Sequence, residues 1–578
     1  MTVDAAPIDA QTFEKYKPII EKYNAQRVED MKSYDPDFYA KCIEVIPSDE
    51  VLDTEPIDAR KFLVELLSEK DLKIVNGYTI DDLISKQLDG SLTAVEIANA
   101  FIKSSIIAQL ATNCVMQFLI PYALEKAKQL DAYLKENGEL VGPMHGIPIS
   151  LKEHLDFKDK VTSAGYVALL EAVAPKHALT VDIFEKQGAI YHIRTTQPQS
   201  IMQMDTWNVI SGRTRNALST KLSPGGSSGG ESAAVAMHAS IMGVGTDIGG
   251  SIRTPSAFGN LYGLRPTAKR ASLLNCTPGT GGQESVVATI GPIARSIDEL
   301  NYYMEHYLND GKPWEYDPST IPIPWKKASL PEKIRIGVLN TDNLVTPYPA
   351  ILRGLQTVAN KLKKHSDVFE IVDLAPYWFT EEDMKKIYNT NMVLYTIDGN
   401  KAQMSLLEKS GEPILPLTQH YFNFGGGNAL SAYENRYHNS VRDEYQLKIF
   451  EKFFQKDGDG LGLDFILSPT YLGPGEIPKH CVYWGYTSFW NLFDYPNVIF
   501  PTGVTHDPEL DVKVDTESLK SNDYEKMVWF DKSGSLKYDA NEFVNGPVAL
   551  QLTGKRYDDE SVVAAVKRIN EVLNVERR

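Results

Sequence analysis

The stretch that most constrains this 578-residue chain runs from Ser223 to Thr267. It carries two glycine-rich turns, Gly225-Gly226-Ser227-Ser228-Gly229-Gly230 and Gly249-Gly250-Ser251. A small-residue segment, Glu231–Ser240, and a short apolar run join them. Glycine weakens a fold unless the backbone must take φ > 0 or come close to something. Two bare loops, each presenting a hydroxyl, therefore predict close backbone approaches rather than ordinary core. If Glu231–Ser240 is helical it climbs about 15 Å, and a strand of about five residues returns a similar distance. Helix up and strand back brings Ser227 and Ser251 to one edge.

The surrounding pattern predicts an α/β fold, because helical and strand-like segments alternate. Upstream, Ile147, Ile149 and Leu151 alternate as a strand that ends on Lys152. Ala178–Gln187 reads as a helix and Ala189–Arg194 as a strand. Downstream, Lys333–Leu339, Phe369–Leu374, Asp464–Ser468, Val498–Phe500 and Val548–Leu552 read as strands. Ala350–Lys364 and Asp559–Leu573 read as helices, and Gly291–Leu300 as the opening of another. Thr79–Asp82 and Thr93–Glu96 have the form of capping boxes. Residues 1–77 read as a helical arm, with Phe13, Tyr16, Ile19, Ile20 and Tyr23 at helical spacing, packing on the core or on a partner. Residues 78–573 read as one catalytic domain. Within it, 311–332 read as a surface linker, Thr277–Gln283 as a loop, and 375–460 as a helical, aromatic region with a Gly425–Gly427 hinge that closes over the substrate pocket.

Composition removes several classes of function. A formal charge of −17, with no basic run, argues against nucleic acid or an anionic membrane as partner. Cys42, Cys114, Cys276 and Cys481 are scattered with no metal-ligand spacing, so neither a metal nor a cofactor is expected. The acidic first residues lack the apolar core of a signal peptide. Polar residues interrupt Ile106–Leu124, which reads as buried core rather than a membrane span. These features fit the cytoplasm.

A serine hydroxyl is a weak nucleophile until a base takes its proton. No cue sets a histidine against either serine: His145, His154 and His238 each read as core or surface residues. The pattern G-x-S-x-G does occur on Ser227 and on Ser228, but a nucleophile elbow must follow a strand. Here it follows polar, Pro-terminated Ala217–Pro224. A phosphate loop also fails, since neither turn is followed by Gly-Lys-[Ser/Thr]. Lys152 remains. Burial would lower its pKa and make it a workable base, whereas sequence alone favours a surface lysine after a strand.

Residues 142–152, 223–267 and 291–300 closely resemble the amidase signature family, and so do Asp494–Pro501 and Gly546–Leu552. The resemblance runs from about residue 78 to residue 573, most like fungal acetamidases or general amidases. It implies a large mixed β-sheet flanked by helices on both faces and a Ser–cis-Ser–Lys triad. In that triad Ser251 attacks the amide carbonyl, Ser227 relays the proton, and Lys152 is the base. The N–H groups of Ile248, Gly249, Gly250 and Ser251 would form the oxyanion hole, with Ser228 a structural hydroxyl and Thr246 a neighbour of the serine pair. Asp247 and Arg253 would orient the loop. Ile201 and Met202 match the stretch that lines the acyl pocket. That stretch departs from the family in Gln197, Gln199 and Gln203, and its lack of a cation favours a neutral carboxamide. The expectation is hydrolysis of small or broad-range amides such as acetamide, with no cofactor and with a homodimer compatible. The alternatives are a fatty-acid amide hydrolase-like enzyme, the glutaminase subunit of a tRNA-dependent amidotransferase, or a scaffold without activity.

Overall fold

The computed structural model describes residues 5–279, 281–517, 519 and 522–575. Thr280, inside the predicted loop Thr277–Gln283, and the extreme ends of the chain lie outside the described residues. The strands in chain order are β1 (Val115–Phe118), β2 (Pro148–Lys152), β3 (Ile190–Thr195), β4 (Trp207–Asn208), β5 (Gly212–Arg213), β6 (Met242–Asp247) and β7 (Tyr262–Arg265). They continue as β8 (Thr289–Ala294), β9 (Ile334–Val338), β10 (Phe369–Asp373), β11 (Phe465–Pro469), β12 (Asn497–Thr505) and β13 (Pro547–Thr553). Eleven of them form one mixed sheet in the order β1-β3-β2-β6-β8-β7-β12-β13-β11-β9-β10, while β4 and β5 make a separate ribbon. Parallel pairing holds β3-β2-β6 together on one side and β11-β9-β10 on the other, with antiparallel pairs between.

The strands alternate their side chains between two apolar cores. Phe465 and Leu467 of β11, Val498 and Phe500 of β12, and Leu550 and Leu552 of β13 enter one core. Their neighbours Ile466, Ile499 and Ala549 enter the other. This period of two is what a sheet buried on both faces requires. The first core is shared with helices Ala94–Thr112, Pro349–Lys364 and Asp559–Leu573, and the second with Glu381–Tyr395 and Gly485–Leu492. The fold is thus a large mixed sheet flanked by helices. Ala94–Thr112 is the one helix among the described residues long and apolar enough to cross a membrane, and 72% of its apolar window is buried inside the fold. Both predicted capping boxes are present, on Thr79 and Thr93.

Three strands of the large sheet, β1, β7 and β8, escape the sequence reading, as do both strands of the ribbon, β4 and β5. The segment Gly291–Leu300 does not open a helix at Gly291. Gly291 to Ala294 complete β8, and the helix begins at Ile297. Gly-Pro in a strand centre normally argues against a strand. Here Gly291 is forced by close packing, because a Cβ there would lie 2.1 Å from the Leu264 carbonyl oxygen. Residues 311–332 are also no free linker, for Asp317 and Trp325 are buried and Trp325 donates its indole N–H to Asn301 at 2.9 Å.

The N-terminal arm runs through the helices Ala10–Tyr34, Pro36–Val45, Asp49–Thr54 and Lys61–Leu66 and ends on the helical segments Glu69–Leu72 and Lys73–Gly77. It lies along the β1 edge, where Arg27 donates to the Val115 carbonyl at 2.8 Å. Buried Arg215 binds Asp49 at 2.8 Å and Asp53 at 2.7 Å. At the arm's start, Ile8 and Asp9 donate backbone N–H groups to Glu412 and Gly411.

Candidate functional site

The two serine turns meet through β6. The helix between them, Gly229–Ala236, is shorter than the predicted Glu231–Ser240 and starts two residues earlier. It lies so close to β6 that a Cβ on Gly243 would meet a Glu231 carboxylate oxygen at 2.1 Å, and one on Gly245 the Ser228 hydroxyl at 3.0 Å. The Ser228 N–H donates to the Ser251 carbonyl at 3.1 Å, stitching one turn to the other. The Ser228 hydroxyl lies 3.4 Å from the Thr246 backbone, so Ser228 is bound into the scaffold. The Gly226–Ser227 peptide bond is cis.

β2 delivers the lysine, because its register places Leu151 against Val244 of β6. Lys152 Nζ lies 2.7 Å from Ser227 Oγ and 3.1 Å from Thr246 Oγ1. It is completely buried. Burial disfavours the ammonium and lowers the Lys152 pKa to about 7, although Asp247 and Glu231 pull the other way. Glu231 itself is raised to about 7 by burial, an effect opposed by hydrogen bonds from Ser150 and Thr195.

The second turn is held by one buried ion pair. Burial raises the Asp247 pKa, but the charge and hydrogen bonds of Arg253 outweigh this and hold the carboxyl well below its usual range. Arg253 Nε and Nη2 each lie 3.0 Å from Asp247, a bidentate contact with both side chains fully buried. Asp247 also accepts from Gly250 N–H at 2.9 Å, Ile252 N–H at 3.1 Å and Asn491 at 2.8 Å. This corrects one expectation: the Gly250 N–H is committed to Asp247 and is not free as an oxyanion donor. Gly250 is required for another reason. Its φ is +133°, and a Cβ would lie 2.3 Å from the Thr487 hydroxyl. From the outside, Tyr395 donates to the Ile248 carbonyl and Thr487 to the Gly249 carbonyl, both at 2.7 Å.

Ser227 and Ser251 line one cavity of about 360 Å³. Ile201, Met202, Thr246, Ile248 and His154 also line it, and residues 269–288 supply much of the rest. The lining is largely apolar, with Ala271, Leu273, Cys276, Pro278, Val287 and Ala288. Of its charged groups, Lys269 and Glu284 pair with each other at 3.4 Å, and Asp247 pairs with Arg253. No residue of 375–460 lines the cavity. That segment works from behind: Tyr395 grips Ile248, and Glu412 binds Gln199 at 2.8 Å. Ser200 and Ile201 both take left-handed φ, 60° and 63°, which is uncommon for a β-branched residue and marks a shaped wall.

Lys152 thus meets Ser227 at hydrogen-bond distance, and Ser227 and Ser251 share the lining of one cavity. Sequence reasoning missed Tyr395, Thr487 and Asn491, which come from distant segments with no local signal. It also missed the 269–288 wall. His154, which in the sequence reads as a core or surface residue, lines the cavity with Nε2 at 2.9 Å from Thr246 Oγ1.

The amidase family profile matches residues 96–563. An amidase of Schizosaccharomyces pombe is 37% identical over 536 residues, covering 92% of this chain and 95% of that protein. An acetamidase of Emericella nidulans is 34% identical over 521 residues, covering 88% and 91%. Among solved structures, a fatty acid amide hydrolase superposes with a TM-score of 0.90 at 37% identity, covering 98% of this chain and 97% of the other.

Proposed function

The chain belongs to the amidase family, and from that premise we propose that it hydrolyses carboxamides bearing an extended apolar acyl group. Ser251 is the nucleophile, Ser227 the proton relay and Lys152 the base. The observation that carries this reading is the buried Lys152 Nζ, 2.7 Å from Ser227 Oγ, with a pKa near neutrality. As Ser251 Oγ bonds to the amide carbon, its proton passes to Ser227, and the Ser227 proton passes to Lys152. The C–N bond then breaks as the proton returns through Ser227 to the leaving nitrogen. An acyl ester remains on Ser251, and water removes it by the reverse relay. The N–H groups of Ile248, Gly249 and Ser251 are left to stabilise the oxyanion.

On substrate, the alternative expectation has more support than the small-amide one. A cavity of about 360 Å³ suits a drug-sized or chain-like acyl group and far exceeds what acetamide fills. The similarity to a fatty acid amide hydrolase, over nearly the whole of both chains, points the same way. Each buried methylene contributes about 0.8 kcal/mol, so kcat/KM should climb several-fold per carbon until the cavity is full. A series of primary amides from acetamide to long-chain acyl tests this. A maximum at acetamide would return the reading to a small-amide hydrolase. Absence of turnover by the purified chain on every amide, glutamine included, would favour a subunit acting within a complex. Added hydroxylamine should divert the acyl group to a hydroxamate, and no hydroxamate from a good substrate would favour direct attack by water instead.

A further inference from the structure

We infer that His154 is a positioning residue of this site: fixed as one tautomer by the Thr277 carbonyl, it turns the Thr246 hydroxyl so that Thr246 accepts from Lys152 and the lysine lone pair is left facing Ser227. The inference rests on the roles proposed above for Lys152, Ser227 and Ser251.

Donors and acceptors alternate along one chain of contacts from Thr277 to Lys152. His154 Nδ1 lies 3.0 Å from the Thr277 carbonyl oxygen. A carbonyl only accepts, so Nδ1 carries the proton. The same two residues are tied again by the Thr277 N–H, which donates to the His154 carbonyl at 2.9 Å. In a neutral imidazole Nε2 is then the bare nitrogen, and it lies 2.9 Å from Thr246 Oγ1. The Thr246 hydroxyl must donate there. Its remaining lone pairs face Lys152 Nζ at 3.1 Å, so they accept an N–H from lysine. Burial, and then the neighbouring Lys152, lower the His154 pKa to about 3, which keeps the ring neutral throughout the working range.

Without His154 the Thr246 hydroxyl is free to turn round. It would then donate to the neutral amine and compete with Ser227 for the one lone pair the mechanism uses. Such a donor also favours the neutral lysine, whereas the native acceptor favours the ammonium. The sign is therefore fixed: losing His154 lowers the Lys152 pKa. The other charged groups acting on Lys152 are Asp247 at the end of β6 and Glu231 on the helix Gly229–Ala236. Arg194 of β3 acts on His154. Asp156 faces Thr277, accepting its hydroxyl at 2.9 Å. None of these is removed by the substitutions below.

The test is the pH profile of kcat/KM in three variants. His154→Leu should lower the plateau about tenfold and move the acid limb down by about 0.5–1 pH unit. His154→Gln restores an acceptor beside Thr246 and should return the limb to the wild-type position. In a Thr246→Val background, His154→Leu should move the limb no further, the outcome expected of two residues acting as one unit. Should His154→Leu fail to fold by thermal unfolding, His154→Asn keeps the donor to Thr277 while removing the acceptor, and it should show the same shift. An unmoved limb in both Leu and Asn variants, or a full shift that persists without the Thr246 hydroxyl, overturns the inference. Covalent labelling of Ser251 by a fluorophosphonate, lost in Ser251→Ala, is measured alongside. Labelling and turnover that survive Ser251→Ala would defeat the underlying reading instead.

Discussion

The floor and the wall of the cavity are built on opposite principles. On the floor, which holds Lys152, Ser227 and the turn Asp247–Ser251, almost no atom has room to move. A Cβ on Gly226, Gly230, Gly243, Gly249 or Gly250 would meet a neighbour at 2.9 Å or less. Asp247 accepts hydrogen bonds from four different residues. On the wall, Gly281 and Gly282 are exposed, and a Cβ on Gly282 would meet nothing within 4 Å. The difference teaches where each task resides. The floor holds Lys152, Ser227 and the turn Asp247–Ser251 in close packing, while the wall shapes the space above them.

The contrast can be broken most severely at the nucleophile. Ser251→Ala should cost at least about 10⁴-fold in kcat, with the melting temperature nearly unchanged because only one hydroxyl is lost; rapid residual turnover would mean the floor is not the reacting surface. Gly250→Ala should follow at about 10²–10³-fold in kcat, since a Cβ against Thr487 displaces the turn by which the oxyanion is held. An activity close to wild type would show the turn to be softer than its packing implies. The pH profile comes next. The base must be neutral, so below the Lys152 pKa of about 7 the wild-type kcat/KM should fall tenfold per pH unit, and it should level off above it. A limb nearer the ordinary pKa of a lysine would mean that burial does not tune it.

The wall should respond more gently and selectively. Leu273→Ala should cost about tenfold or less in kcat/KM for a long-chain amide and nothing for acetamide, the range expected for a few methylenes in an apolar pocket. Equal losses on both substrates would make this wall part of the catalytic scaffold. The smallest effect is expected at Gly282→Ala. Its φ of +76° makes alanine cost about 1 kcal/mol of stability, yet kcat should stay within a factor of two on every amide.

The same contrast explains what the sequence could reveal. Floor residues are dictated by local chemistry: glycines before a serine, small residues on the helix Gly229–Ala236, and a strand ending on Lys152. Their spacing exposes the convergence of the two turns. Lys152 is the instructive middle case, because a surface lysine after a strand reads identically; only β3 and β6 on either side of β2 decide its burial. Strands β11, β12 and β13 were legible from their apolar runs. β8 was not, since its Gly-Pro obeys a tertiary demand from the Leu264 carbonyl rather than any β propensity. The wall left no periodic trace, being a loop whose position depends on contacts such as Arg442 to the Ser285 carbonyl at 2.6 Å. The braces Tyr395, Thr487 and Asn491 are ordinary helix residues until the chain folds.

One consequence follows from the depth of Lys152. Lys152 is completely buried, whereas Lys448 and Lys456 are exposed. Reagents that acylate amines will therefore coat the outside of this protein and leave Lys152, the proposed base, intact. Dyes, polymers or a solid support can be attached through lysine chemistry, the procedure that ordinarily ruins a lysine-dependent catalyst.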